Sequence, residues 1–287
     1  TLSLHDALPI SQRDVLAMDE IILSVSMPNY NHGVYLRDRI PSLLGALPSN
    51  GELIIFDDGS TDESVSIIEY FASIDPRIIF IKSGQNVGVM SALEQILGRA
   101  RGKYISFQSA DDYILPDFFK KLLKVARDFP NFGIYCSNFG CSHGSIPTHP
   151  DQICTQLLLE GAKEVKAFYP DDLPSIFFKS NFWIPGHASI ISRELVVKMG
   201  GFNPLFQQHA DWFLIHSIAL MAGVVYLPET LSVWRLDQNS FANKEITKKD
   251  SLFQIQMNYF KFLDRPENKK LKKKFRNGVL FRGVIRK

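Results

Sequence analysis

Three short stretches of this 287-residue sequence concentrate side chains able to do chemistry: Pro28-Asn29-Tyr30-Asn31, Asp57-Asp58-Gly59-Ser60-Thr61-Asp62 and Ser109-Ala110-Asp111-Asp112. Two of them carry paired carboxylates. Like charges this close repel, and one of each pair would protonate unless a cation removed the cost. Hard oxygen ligands suit magnesium or manganese, held by one or two carboxylates while phosphate oxygens and water complete the shell. Asp111 and Asp112 are the metal candidates. Each stretch also has a plainer reading. Ser60 or Thr61 with Glu63 makes good helix-capping chemistry, Asp111-Asp112 can cap a helix after Pro116, and Pro-Asn-Tyr-Asn is a common turn composition.

The elements around these stretches follow a rhythm. Apolar runs at Ile21 to Met27, Glu52 to Phe56, Ile78 to Ile81 and Tyr104 to Phe107 read as strands. Helical spacing follows each, over Leu36 to Leu47, Glu63 to Phe71, Met90 to Ala100 and Pro116 to Asp128. Such alternation predicts an α/β fold with a doubly wound, mostly parallel sheet and helices on both faces, because right-handed crossovers place a helix after each strand. All three stretches would then converge on the carboxyl edge, where ligands of such sheets bind. After Ile134 the rhythm breaks. Strands are expected at Ala188 to Ser192, Val224 to Leu227 and Leu231 to Leu236, with helices at Arg193 to Met199 and Trp212 to Met221. No linker composition interrupts the chain, so a single domain is expected, with a first half over 20–118, a second over 119–240 and a helical tail over 241–287. Residues 1–11 resemble a translated sequencing adapter and are set aside as a non-native leader; a cut at either end of the chain is expected with it.

The net charge of +2 conceals an asymmetry. Residues 264–287 hold ten basic and two acidic side chains, a charge of +8, which leaves −6 on the rest. An acidic body argues against a nucleic-acid partner. Three cysteines are too few for a disulfide framework and point to a reducing, cytoplasmic compartment. The most apolar stretch, Phe213 to Leu227, is interrupted and too short to span a bilayer.

In order and in register, the motifs resemble family 2 glycosyltransferases, the large inverting group with the GT-A fold. The matching pieces are SVSMPNYN, IIFDDGSTDES, NVGVMSALEQILGRARGKYISF leading into SADD, HASIISRELVVKMGGFN, ADWFLIHSIAL and YLPETLSVWRL, within residues 20–240. The resemblance implies metal-dependent transfer of a sugar from a nucleoside-diphosphate sugar to a glycan or lipid-linked acceptor, as in polysaccharide biosynthesis. By it, Pro28 and Tyr30 line the nucleobase pocket, Asp58 accepts a hydrogen bond from the base, and Gly88 lets backbone approach the nucleotide. Asp111 faces the ribose or the metal, Asp112 the metal, and Arg235 the diphosphate. In inverting transfer a carboxylate stands opposite the diphosphate to take the acceptor proton, and the matching position is Asp211. A helix N-terminus would favour its ionised form, so burial beside Trp212 would have to offset that. The plainer reading of Asp211 is an ordinary first-turn acid.

Three positions depart from the family pattern. Ser109 stands where an acid is common, Ala92-Leu93-Glu94 where Ala-Arg-Asn is common, and Arg235-Leu236-Asp237 where Arg-x-His is common. They leave open a second class of function, a catalytically inactive nucleotide- or glycan-binding module. A dinucleotide oxidoreductase is disfavoured, since no Gly-x-Gly-x-x-Gly follows the first strand. His187 and His209 read more readily as packed side chains than as functional ones, and Phe182 and Trp183 as core rather than a sugar platform. The basic tail has two readings of equal weight. It either lies on an anionic bilayer, giving peripheral contact at the inner face of the membrane, or packs its apolar stripe on the domain.

Overall fold

A computed structural model describes residues 20–142, 153–156, 162–179, 182–236 and 249–278. Four strands open it: β1 (Leu23–Asn29), β2 (Gly51–Asp57), β3 (Ile78–Lys82) and β4 (Tyr104–Phe107). Helices α1 (Gly33–Ala46), α2 (Ser64–Ile74), α3 (Val89–Arg99) and α4 (Phe118–Asp128) follow them in turn. A two-residue strand β5 (Tyr113–Ile114) lies between β4 and α4. Here the strands run parallel in the order β3-β2-β1-β4. Leu53 and Ile55 of β2 pack into the core on one face, Ile54 and Phe56 into the core on the other. This two-sided burial is why β2 reads as an unbroken apolar run.

The second half is mixed in direction. It contributes β6 (Ile134–Ser142), β7 (Cys154–Gln156), β8 (Lys166–Phe168), β9 (Ser189–Ser192) and β10 (Val224–Arg235), with helices α5 (Leu173–Lys179), α6 (Arg193–Lys198) and α7 (Ala210–Ala222). The sheet continues from β4 through β9, β6 and β10 to β5. β9 is antiparallel to both β4 and β6, while β10 runs parallel to β6. The parallel arrangement thus holds where strand and helix alternate, and gives way where β6 continues without a crossover helix. The two strands expected at 224–227 and 231–236 are one strand, β10, whose register to β6 shifts on either side of Thr230. β6 extends across a region whose Gly, Ser and Asn content hides its strand pattern.

α7 is buried nearly all round beyond its first turn, over Phe213 to Leu220, with Ala210 buried as well. A helix of this kind must be covered. Its cover is the C-terminal pair α8 (Lys249–Leu263) and α9 (Lys269–Gly278), whose Ile255, Tyr259, Leu263, Leu271 and Phe275 join its core cluster. Phe275 stacks on Phe213 with centroids 5.2 Å apart. Among the described residues, therefore, Leu271 and Phe275 of the basic tail's apolar stripe pack on the domain, as the second of the two readings expects. Residues 279–287, with the rest of that stripe, lie outside the described residues. No helix among the described residues is long and apolar enough to cross a membrane.

Candidate active site

The register places Asn29 beside Asp57, with β4 on the other side of β1, so the loops leaving β1, β2 and β4 share one edge. The first two are stitched together. Asp57, fully buried, accepts from Asn29 Nδ2 at 2.8 Å, Ser60 Oγ at 2.6 Å and Ser60 N–H at 2.9 Å. Asn31 Oδ1 accepts from Thr61 N–H at 2.8 Å. Asp62 accepts from Gly33 N–H at 2.9 Å and Ser64 N–H at 3.0 Å, so one carboxylate serves the first turns of two helices. The plainer reading gives the cap to Ser60 or Thr61 with Glu63; α2 instead starts at Ser64 without a side-chain cap from Glu63, Asp62 serves its first turn, and Asp57 clasps Asn29 and Ser60.

Asp58 behaves differently. Its carboxylate takes the N–H groups of Val87 and Gly88, at 2.6 and 2.9 Å, and so latches the turn before α3 onto the end of β2. Gly88 adopts φ +86°, a conformation that favours glycine, and nothing lies within 4 Å of where its Cβ would be. The turn therefore offers open backbone next to a buried carboxylate. On the β1 side, Tyr30 is 43% exposed and presents a ring free to stack, while Pro28 is half-buried.

The loop after β4 is gripped from two sides. Arg235, the last residue of β10, donates its backbone N–H to Asp112 Oδ1 at 3.0 Å and its Nε to the Asp111 carbonyl at 2.8 Å. Its guanidinium carbon lies 4.2 Å from the Tyr35 ring centroid and 4.5 Å from that of Tyr113. Arg235 is thus first a bracket for the carboxylate loop, and a diphosphate would meet a guanidinium already fixed in direction. Asp237 lies outside the described residues. Behind the loop is a residue the sequence reading passed over: Arg39 of α1, 1% exposed, donating to the Ser109 carbonyl and to Gln108. The available signal was an arginine on the buried stripe of Leu36, Ile40 and Leu43.

Electrostatics sharpen the picture. Burial pushes the Asp112 carboxyl above its ordinary range; nearby Asp111 adds to the shift and His187 opposes it. The His187 ring packs edge-on against Phe139, and its buried Nε2 has no hydrogen-bond partner among the described residues. A buried carboxylate pushed toward protonation, with a second acid beside it, fits a divalent cation, which would restore its ionised form. Among the described residues no three His, Cys, Asp or Glu side chains converge as a metal cage. The donor set therefore suits a cation completed by substrate phosphates and water, not a closed structural site.

Asp211 opens α7, whose last residue, Ala222, accepts from Gly133 N–H at 3.1 Å just before β6, so its first turn lies away from that end of the sheet. The segment before β9 links the two regions: a Cβ on Gly186 would meet Ile215 of α7 at 3.2 Å, and the next residue is His187. Asp211 is open to solvent, yet protein lies around it on most sides. This loss of hydration pushes its carboxyl up, against the N–H of Trp212 at 2.7 Å, which favours the charged form. His209 is held below its usual value by burial. Phe182 is core, against Phe168 and Tyr226, and Trp183 is partly exposed with its edge on Phe139.

A cleft of about 870 Å³ lies at the opposite edge between Gly102, Phe132, Tyr135 and Arg193. A second, about 650 Å³, runs between α3 and α7 beneath Phe202 and Phe206. Neither is lined by Tyr30, Asp58, Asp111 or Asp112.

The model of glycosyl transferase family 2 matches residues 24–199, more than half of the chain. The chain belongs to glycosyl transferase family 2. Glycosyltransferase GlyA of Streptococcus pneumoniae is 34% identical over 77% of this chain and 31% of its own length. An uncharacterized glycosyltransferase of Methanocaldococcus jannaschii is 25% identical over 92% of this chain and 85% of its own. The chain spans 42%, 31% and 64% of the length of three other relatives it matches, GlyA among them. In fold it is similar to Staphylococcus aureus TarS 1–349 in complex with UDP-GlcNAc, with TM-score 0.67, 16% identity, and coverage of 91% and 71% of the two chains. It is likewise similar to the Pyrobaculum calidifontis mannosyltransferase PcManGT in complex with GDP-Man and Mn2+, with TM-score 0.62, 17% identity, and coverage of 91% and 70%. The family matches the fold class expected from the strand–helix rhythm.

Proposed function

We propose that this member of glycosyl transferase family 2 moves a sugar from a nucleoside-diphosphate sugar to a glycan or lipid-linked acceptor, with inversion and with a divalent cation. The observation that carries the reading is the joining of the Asp111–Asp112 loop to Arg235 at the edge where Tyr30 and the Asp58–Gly88 latch also lie. An aromatic ring, a buried carboxylate and open backbone suit a flat base and its ribose. Tyr30 stacks on the nucleobase, Pro28 borders it, and Asp58 orients it while holding Val87 and Gly88 in place. Asp111 faces the ribose or shares the cation with Asp112. Mg2+ or Mn2+ held there would offset charge on the departing diphosphate. Arg235 contributes a fixed positive group on the same side.

Asp211 takes the acceptor proton. A carboxylate with raised proton affinity is a better base than a free one, provided it stays ionised at working pH. Its position at the head of a buried helix fixes it while leaving it accessible. The reading places the protein in the cytoplasm with peripheral membrane contact through the exposed lysines of α9, and without a nucleic-acid partner. Thermal stabilisation by a panel of uridine, guanosine and thymidine diphosphate sugars, with and without Mn2+, is the direct check. At least one donor should raise Tm, and more so with the cation; a flat response to every donor would remove the nucleotide-sugar reading.

A further inference from the structure

α1 carries a charge where its pattern calls for an apolar side chain. Arg39 shares the buried stripe of Leu36, Ile40 and Leu43 and is 1% exposed. Burying a guanidinium costs several kcal/mol unless bonds and charges offset it. Its described bonds all run to one region. Nε donates to the Ser109 carbonyl at 3.1 Å and Nη2 to Gln108 Oε1 at 2.8 Å. Gln108 passes the connection on, donating from Nε2 to the His187 carbonyl at 3.0 Å and to Ser106 Oγ at 2.8 Å. Nη1 has no hydrogen-bond partner among the described residues. Burial pulls the Arg39 pKa down to about 10, with Asp112 and Asp111 acting against that pull.

One side chain therefore ties α1, the loop after β4 and the segment before β9 into a single buried fork. We propose that Arg39 is a positioning residue: acting through Ser109 and Gln108, it presets the Asp111–Asp112 loop and the His187 segment for the cation and the donor diphosphate. The inference rests on the nucleotide-sugar reading of the same site. A planar guanidinium with donors in fixed directions can set a loop's shape, whereas an ammonium supplies charge without that geometry. Ser109, which lacks the acid common at its position, takes part through its main-chain carbonyl. The loop is shaped from behind, by a fixed internal cation.

The test is Mn2+ binding to the full chain by electron paramagnetic resonance, with and without UDP or GDP, alongside donor turnover. Arg39→Lys keeps the charge and loses the fork; Arg39→Met loses both. Both should weaken Mn2+ binding by about 10-fold or more, the range for groups that orient metal ligands. KM for cation and donor should rise while kcat at saturation changes little. Where Arg39→Met does not fold, Gln108→Glu keeps an acceptor for Arg39 but no donor for the His187 carbonyl, and should weaken binding in the same direction. Wild-type affinity in Arg39→Lys, or tighter binding in Arg39→Met, would overturn the proposal. Absence of Mn2+ and nucleotide binding in the wild-type chain would instead overturn the reading of the site itself.

Discussion

The backbone N–H of Arg235 donates to Oδ1 of Asp112 at 3.0 Å, so the end of β10 closes on the loop that leaves β4. Two stretches 123 residues apart thereby become one structure. The Arg235 guanidinium, between the rings of Tyr35 and Tyr113, makes that closure rigid.

Arg235→Lys tests that bracket. Lysine keeps the charge but not the bond from Nε to the Asp111 carbonyl or the two-ring stacking. The loss should be about 1–3 kcal/mol of stability, from the desolvated cation–π contacts and the charge-assisted bond together. Activity should fall further than stability accounts for, since the carboxylate loop loosens. Urea unfolding with steady-state kinetics separates the two effects; equal and small changes in both would reduce Arg235 to a surface charge.

Asp57→Ala should be structural in its effect. It leaves Asn29 and Ser60 without their shared acceptor in a buried place, a loss of about 1–3 kcal/mol per unsatisfied group. Asp58→Asn should weaken nucleotide affinity as well as stability, because its amide nitrogen would face one of the two N–H groups, of Val87 and Gly88, that the carboxylate accepts. Chemical denaturation and nucleotide titration of the two variants side by side distinguish a loop clasp from a ligand contact.

His216 gives the stability part of its pH dependence. Its ring stacks on Trp212 with centroids 4.5 Å apart, and its Nδ1 lies 2.8 Å from the Trp212 carbonyl, which requires a proton on that nitrogen. Burial pulls its pKa down to about 4. The unfolded chain, with an ordinary histidine, therefore binds more protons between pH 6.5 and about 4. Stability from this group is present above pH 6.5 and is lost as pH falls through that window, by about 3 kcal/mol in total. His216→Phe should make the profile shallower there, the remaining slope coming in part from His187 and His209, which burial also holds below their usual value. An unchanged pH dependence in that variant would show that His216 is not its source.

The first half of the fold was legible because each strand there is an apolar run and each crossover helix has a buried stripe. The converging loops could be seen as well, since their carboxylates follow strands directly. What was hidden is long-range. Nothing local marks Arg235 as a bracket for Asp112, and the roles of Asp57 and Asp58 differ although the residues are adjacent and identical. Arg39 was the one local clue left unread. β6 was hidden for another reason: Ser137, Asn138 and Gly140 break its apolar pattern, while partner strands on both sides bury it.

The tail makes a separate prediction. Leu271 and Phe275 are spent on the core, and Lys274 is tied to Pro170 and Asp171, leaving Lys269, Lys270, Lys273 and Arg276 exposed on α9. Deleting 264–287 would uncover α7, so charge reversal is the cleaner variant. Reversing all four residues should abolish co-sedimentation with anionic vesicles, since each basic residue near such a surface contributes about 1 kcal/mol. Tm should stay within a few degrees. Equal co-sedimentation of both forms would remove the membrane contact.

In the proposed reaction Asp112 and Asp211 divide the work, one serving the donor and the other removing the acceptor proton. The most direct measurement is nucleoside diphosphate release from the donor that stabilises the protein, in Mn2+, with a matching acceptor, for wild type, Asp112→Asn and Asp211→Asn. Wild type should turn over, and Asp112→Asn should lose activity with weaker cation dependence. Asp211→Asn should bind donor normally while kcat falls by about 10²–10⁴-fold, the usual contribution of a general base. Release at wild-type rates from both variants would contradict the account.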